Sequence, residues 1–323
     1  MPAGRRRLAV HNHRRLMDWG TPLRRTGFMG RFWRARADYL FLAPALLPFA
    51  VFILWPLLHG LALSFLDLRM GAVRQYRFAG IEHFARLVSD ERFRCALANT
   101  FFFVAFVVPL ALVLSIVISV LIDSLPRWTH GLFRFAFYLP VVAGGVCLGM
   151  VWVWIYDPAV GLLNHVLARV GLIDPVRPVE WLGLQSIAVP SMAIVVLTWI
   201  LGQPIVIFLA ALGGIPPELY EAARIDGASG FAQFWHVTLP LLRPATLFVA
   251  VTQTIGVFQV FVVVFLLAQN NPSNWSLVYY MYRSAFYPPY DFGYAAAQGV
   301  VLVTLIAVIA VVQYRLWGKE IEY

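Results

Sequence analysis

Lysine is all but missing from this sequence: Lys319 is its only one, and Glu320 follows it. A phosphate loop of the form G-x-x-x-x-G-K-[ST] therefore cannot be assembled, so the chain carries no ATP-hydrolysing engine of that kind. Charge of either sign is scarce, at 13% of residues, and none of the sixteen acids lies inside an apolar run. Transporters driven by protons or sodium place ionisable groups at mid-membrane, and that mechanism has nothing here to act through. There are two cysteines. Cys95 sits at the edge of an apolar run and Cys147 inside one, where it reads as a small core residue; neither a disulfide nor a metal framework is implied. The seven histidines are scattered, with no HExxH, no DxxD and no serine-histidine-acid grouping, so the chain is not expected to be an enzyme.

What the sequence has in abundance is apolar length. Hydrophobic residues make up 61% of its 323 residues and the mean hydropathy is +0.75, which a soluble surface of this size would not tolerate. Six runs are long enough to cross about 30 Å of hydrocarbon: Tyr39 to Leu66, Leu97 to Ile122, Phe135 to Tyr156, Ile187 to Leu212, Leu241 to Ala268 and Tyr294 to Leu316. Backbone polar groups in lipid must be satisfied within the segment, so the expected fold is an all-α integral membrane bundle of six helices. Pro44, Pro48 and Pro56 predict a kinked first helix, and Pro204 a kink in the fourth. Residues 1–38 form a basic arm with ten arginines, suited to anionic lipid headgroups rather than to nucleic acid. The arm is too long and too arginine-rich for a cleavable signal. Arginine distribution puts the arm, both termini and the 216–240 loop on the cytoplasmic side of a multi-pass protein. The 67–96 loop resists this assignment, because it carries six arginines on the opposite side. Of the aromatic residues, Trp152, Trp154 and Tyr156 read as an interfacial belt.

The loop after the fourth run carries the most information. Pro216 and Pro217 can open a helix, Glu218 and Glu221 suit its positive end, and Gly227 suits a left-handed cap. A second short helix runs through Phe231, Phe234 and Trp235, and Pro240 and Pro244 mark entry to the next span. Glu221-Ala222-Ala223, then Gly227 after three intervening residues, and Val237-Thr238-Leu239-Pro240 resemble the EAA loop of the membrane permease subunits of binding-protein-dependent ABC importers. The one departure in the loop is Val237 where isoleucine is usual. Further segments are similar to the carbohydrate-uptake permeases of the maltose and glycerol-phosphate type. They are Phe78 to Phe84, with His83 in place of asparagine; Asn99-Thr100-Phe101; Phe133-Arg134 to Leu139-Pro140; Asn164 and Trp181; and Phe261 to Gln298, with Val262 for aspartate and Asn270-Asn271 for two glycines.

That resemblance implies a type I ABC importer permease in the bacterial inner membrane. The first helix, 39–66, would stand outside a five-helix core, 97–316, that contains the coupling loop 216–240 and is followed by a cytoplasmic tail, 317–323. It further implies that Glu221, Ala222, Ala223, Asp226, Gly227, Leu239 and Pro240 couple to an ATPase. The implied partners are a second homologous permease, two ATPase subunits holding ATP and magnesium, and an extracytoplasmic solute-binding protein; the chain itself is expected to bind no cofactor. In the fifth run Thr252, Gly256 and Gln259 share one helical face, flanked by Gln253 and Thr254. With Gln203 beside Pro204, they are candidates for the transport pathway; interhelical packing remains the alternative for each. An uncharged polar face suits a neutral hydroxylated solute, and the family resemblance points to a sugar or a sugar-like solute. The competing class is a secondary transporter or channel that works without an ATPase.

Overall fold

The computed structural model describes residues 36–69, 75–268 and 271–317. Most of the basic arm, Asn270 and the end of the C-terminal tail lie outside these. The chain divides into two compact units between Leu58 and His59. The boundary falls inside the first apolar run, whose described helix spans Leu40–Leu63. It is built from α1 (Arg36–Phe49), which starts four residues before the span, a π-helical turn (Ala50–Leu54) and α2 (Trp55–Leu63). The Trp55 N–H closes on the Ala50 carbonyl. A proline cannot donate to the carbonyl four residues back, and widening the turn just ahead of Pro56 accommodates that loss.

In the second unit, β1 (Leu66–Arg69) and β2 (Gln75–Phe78) form an antiparallel pair with Leu66 opposite Phe78. The hairpin is a small addition before the third helix and leaves the expected all-α membrane bundle intact. After α3 (Glu82–Ser89), the long α4 (Glu91–Asp123) begins six residues earlier than its apolar run, because Asp90 caps it. Asp90 accepts from the amides of Arg92 and Phe93 at 2.9 and 3.4 Å, satisfying donors that a helix start leaves open. At 33 residues α4 is about 50 Å long. It is the central post of the unit, lying against α7 (Gln185–Ile200), α8 (Gly202–Leu212), α12 (Arg243–Phe258) and α14 (Leu277–Phe286). Phe103, Val107, Met192, Val195, Phe208 and Phe258 fill the core between them. Ser119 adds an interhelical bond, its Oγ donating to the Ile205 carbonyl at 3.1 Å.

The other described elements are α5 (Arg127–Ile155), α6 (Leu162–Arg169), α9 (Pro217–Ile225), α10 (Gly230–Gln233), α11 (Leu239–Leu241), α13 (Val262–Leu267) and α15 (Phe292–Trp317). Five described helical spans are long and apolar enough to cross a membrane, and the bent pair α7 and α8 makes a sixth. The bend of 44° falls at Leu201, where Pro204 brings no N–H for the Ile200 carbonyl. There Gly202 touches α5: a Cβ on it would lie 2.3 Å from the Phe137 carbonyl oxygen. In α5, Gly144 breaks the helix at φ +81, a conformation open to glycine. Gly145 and Gly149 admit Trp199 and Leu266. Two expectations fail on this helix. Cys147 is exposed rather than in the core, because much of α5 has no neighbour among the described residues. Tyr156 is not a belt residue: it is buried, stacked on Trp181, and donates to the Ser191 carbonyl at 3.0 Å.

Candidate functional site

Contacts define the two ends of the bundle. Asn99, near the start of α4, donates to the carbonyls of Ser273 and Trp275 at 2.7 and 2.9 Å and accepts from Gln185 at the start of α7 at 2.9 Å. The hairpin 216–240 leaves from the far end of α8 and returns at the start of α12, away from that junction.

The hairpin is closed by backbone chemistry. At the end of α9 the Ala228 N–H reaches the Ala223 carbonyl at 2.9 Å and the Gly227 N–H reaches that of Arg224 at 3.0 Å. This is the Schellman pattern, and it requires a left-handed residue; Gly227 has φ +80. Ser229 then caps α10 through the Ala232 amide, and Gln233 Nε2 donates back to the Ala228 carbonyl at 2.9 Å. Across the turn the hydroxyls of Tyr220 and Thr238 lie 3.0 Å apart, with Thr238 buried. A second π-helical turn, Phe234–Thr238, closes with the Leu239 N–H on Phe234, again just ahead of a proline, Pro240. The tie between Tyr220 and Thr238 escaped sequence reading, although each lies nine residues from Ser229.

The hairpin brings the proposed coupling residues together on two short arms. Glu221, Ala222, Asp226 and Gly227 are exposed, Ala223 is half-buried, and Leu239 and Pro240 are half-buried at the base of the return arm. Neither Glu221 nor Asp226 pairs with another described residue. Beside them stand large apolar side chains in the open: Ile225 is 86% exposed and Phe231 75%, and Trp235 is also exposed. An isolated protein gains nothing by presenting such groups so far from its core, and exposed apolar clusters of this kind mark contact surfaces.

The polar residues of the fifth span separate into two sets. Gly256 and Gln259 are exposed and Thr252 half-buried, and a Cβ on Gly256 would meet nothing within 4 Å. Among the described residues that stripe is largely unpacked, Thr252 alone being partly covered. Thr252 bonds only backward, to Phe248 and Val249 at 2.8 and 3.1 Å. Gln253 and Thr254 lie on the buried side, where Thr254 accepts from Gln313 of α15 at 2.8 Å. Gln203 is exposed and lines a cavity of about 460 Å³ with Arg134, Phe135, Tyr138, Leu139, Val142, Val206 and Ile207. No residue of α12 lines that cavity, so Gln203 and the Thr252 stripe are not gathered into one described pocket. At the opposite end, Asn164 and Trp181 do meet, Trp181 Nε1 donating to Asn164 Oδ1 at 2.9 Å.

Residues 123–322 match a family model described as a binding-protein-dependent transport system inner membrane component. Among curated proteins, the lactose transport system permease protein LacF of Rhizobium radiobacter is 32% identical over 281 residues, covering 85% of this chain and 92% of that one. The arabinooligosaccharides transport system permease protein AraP of Bacillus subtilis is 30% identical over 301 residues, covering 92% and 93%. In three dimensions, the fold is like that of a chain in the crystal structure of a bacterial ABC transporter involved in import of the acidic polysaccharide alginate, with a TM-score of 0.78 at 22% identity. That likeness covers 91% of this chain and 99% of that one. A multi-pass bundle with a glycine-capped Glu-Ala-Ala hairpin, matched over most of its length, belongs to the family of inner membrane components of binding-protein-dependent transport systems.

Proposed function

We propose that this chain is one of two homologous permeases forming the pathway for a sugar or sugar-like solute. The solute is delivered by an extracytoplasmic binding protein, and the work comes from two separate ATPase subunits that hold ATP and magnesium. The observation that carries the reading is the hairpin. It is braced from within by the Gly227 turn, the Gln233 bond and the Tyr220 to Thr238 contact, yet Glu221 and Asp226 pair with no described residue and Ile225 and Phe231 remain largely exposed. A rigid arm with an exposed tip transmits force to the helices on which it is mounted, here α8 and α12. Closure of an ATPase cleft around the tip would turn both helices and shift the open Thr252, Gly256 and Gln259 stripe. The carbohydrate permeases among its relatives and the lack of charge on that stripe support a neutral hydroxylated solute.

The test is coupling. Gly227→Val forces a β-branched residue into left-handed backbone, at a cost of about 1–3 kcal/mol. In the reconstituted transporter, uptake should fall at least tenfold relative to ATP hydrolysis while membrane insertion is unchanged. Uptake that keeps pace with hydrolysis in this variant would remove the hairpin from the mechanism.

A further inference from the structure

At the end of the bundle away from the 216–240 hairpin, three segments far apart in sequence bring ligating side chains together. Asp67 comes from β1, His83 from the first turn of α3, and Asp291 from the residue immediately before α15. One nitrogen of the imidazole and one oxygen of each carboxylate lie within 4.8 Å of one another. His83 and Asp291 are buried and Asp67 is partly so.

Close packing enforces this convergence. At Gly293, in the first turn of α15, a Cβ would collide with the Leu66 carbonyl and lie 2.6 Å from His83 Nε2, so the lack of a side chain is what lets α15 close on β1 and α3. Each ligating group is also held from behind. The Leu66 carbonyl lies 3.2 Å from His83 Nε2. Arg86 donates to Asp291 Oδ2 at 2.8 Å and the Tyr294 amide to Asp291 Oδ1 at 3.0 Å, while Arg77 stands 3.6 Å from Asp67. A backbone carbonyl on the imidazole and donors behind the carboxylates are the outer contacts that orient ligands in metal sites. Yet among the described residues His83 forms neither a hydrogen bond nor an ion pair with Asp67 or Asp291. The spacing thus suits a cation between the three groups better than a direct bond. Some point lies no more than about 2.8 Å from all three donors, and a closure of less than about 1 Å brings it to the roughly 2.0–2.2 Å of a zinc site.

We propose that Asp67, His83 and Asp291 bind one divalent transition-metal ion of the zinc or manganese type, which clips the β1–β2 hairpin and α3 to the start of α15. An imidazole nitrogen with two carboxylate oxygens suits such an ion, whereas calcium and magnesium take oxygen ligands. The site stands whether or not the transport reading holds.

The test is zinc binding to the full chain in detergent, purified on a histidine-free tag, stripped with EDTA and titrated in competition with a chromophoric chelator. Because His11 and His13 stand close together in the basic arm, the background carries His11→Asn and His13→Asn. One saturable site per chain is expected, displaced by manganese but not by calcium at equal concentration. Its affinity should fall at least about tenfold in His83→Asn and in the isosteric Asp67→Asn, and should be unchanged in His165→Asn, whose ring is exposed elsewhere. Melting curves in EDTA check that each variant is folded, and added zinc should raise the melt of the parent but not of the two site variants. If the parent binds no zinc, or folded His83→Asn and Asp67→Asn bind it as tightly as the parent, the cluster is an ion-pair network and no metal site. Displacement by calcium as effective as by manganese would overturn the assignment to a transition ion.

Discussion

Asp90 shows how one side chain can hold several segments. It caps α4, and its Oδ2 accepts the phenols of Tyr280 on α14, at 2.5 Å, and of Tyr294 on α15. Partial burial pushes its carboxyl up, but hydrogen bonds from Tyr280, Tyr294, Phe93 and Arg92 outweigh it and hold the group below its usual 3.8. Burial first, and the bond to Asp90 second, push the Tyr280 phenol up to about 12, so it remains a donor through the neutral range. A carboxyl lowered in the folded state stabilises the fold above its unfolded pKa, and that stability is lost as pH falls through the folded value. Asp90→Ala should therefore cost about 1–2 kcal/mol at pH 7, from the lost cap and two orphaned hydroxyls. Melting curves of both proteins in detergent between pH 3 and 7 should converge below about pH 4. A gap that stays constant with pH would mean that the charge on Asp90 is irrelevant.

The paired helices α7 and α8 carry a bend whose proline was legible and whose glycine was not. Pro204 announces a break because it removes a donor at a known offset, and the observed bend lies three residues before it. Gly202 matters through a residue 65 positions away, the Phe137 carbonyl, and no local pattern reports such a contact. Gly202→Val should therefore disrupt the meeting of α5 and α8, lowering stability by about 1–3 kcal/mol in a thermal melt, whereas Gly256→Val, in open space, should leave the melt unchanged. Equal losses at both sites would contradict the packing described. The same division runs through the rest of the chain. Helix existence, the Gly227 cap and the spacing of the Glu-Ala-Ala hairpin follow from period and turn chemistry, which are local. The exposure of Cys147 and the burial of Tyr156 depend on which neighbours surround α5 and its end, and the strands Leu66–Arg69 and Gln75–Phe78 are too short for an alternating pattern to stand out. Pathway candidates divided for a similar reason: Gln253 adjoins Thr252 in sequence, but a step of 100° on a helix puts it on the buried side.

Orientation in the membrane brings the arginines of the 67–96 loop back into account. Two of the six are neutralised where they stand. Arg77 pairs with Glu82 at 2.6 Å and Asp67 at 3.6 Å, and Arg86 pairs with Asp291 at 2.8 Å. Paired arginines at an outer surface carry less weight against translocation than an unbroken basic arm, so the loop and the arm are compatible with opposite sides. Among the described residues of the second unit, three surfaces stand out: the hairpin tip at one end, the arginine cavity lined by Arg86, Arg92 and Arg283 at the other, and the open flank of α5 with the Thr252 stripe between them. If the hairpin faces the cytoplasm, a cysteine at Ser229 should react with a membrane-impermeant maleimide only in inverted vesicles, and one at Ser89 only in right-side-out ones. Both positions are exposed in the chain. Because Cys147 is exposed as well, the background must have Cys95 and Cys147 replaced, and the vesicles should lack ATPase subunits so that the tip is uncovered. Labelling of Ser229→Cys from the outside would invert the bundle. It would put the arginine cavity on the ATPase side and leave the hairpin with no motor to receive.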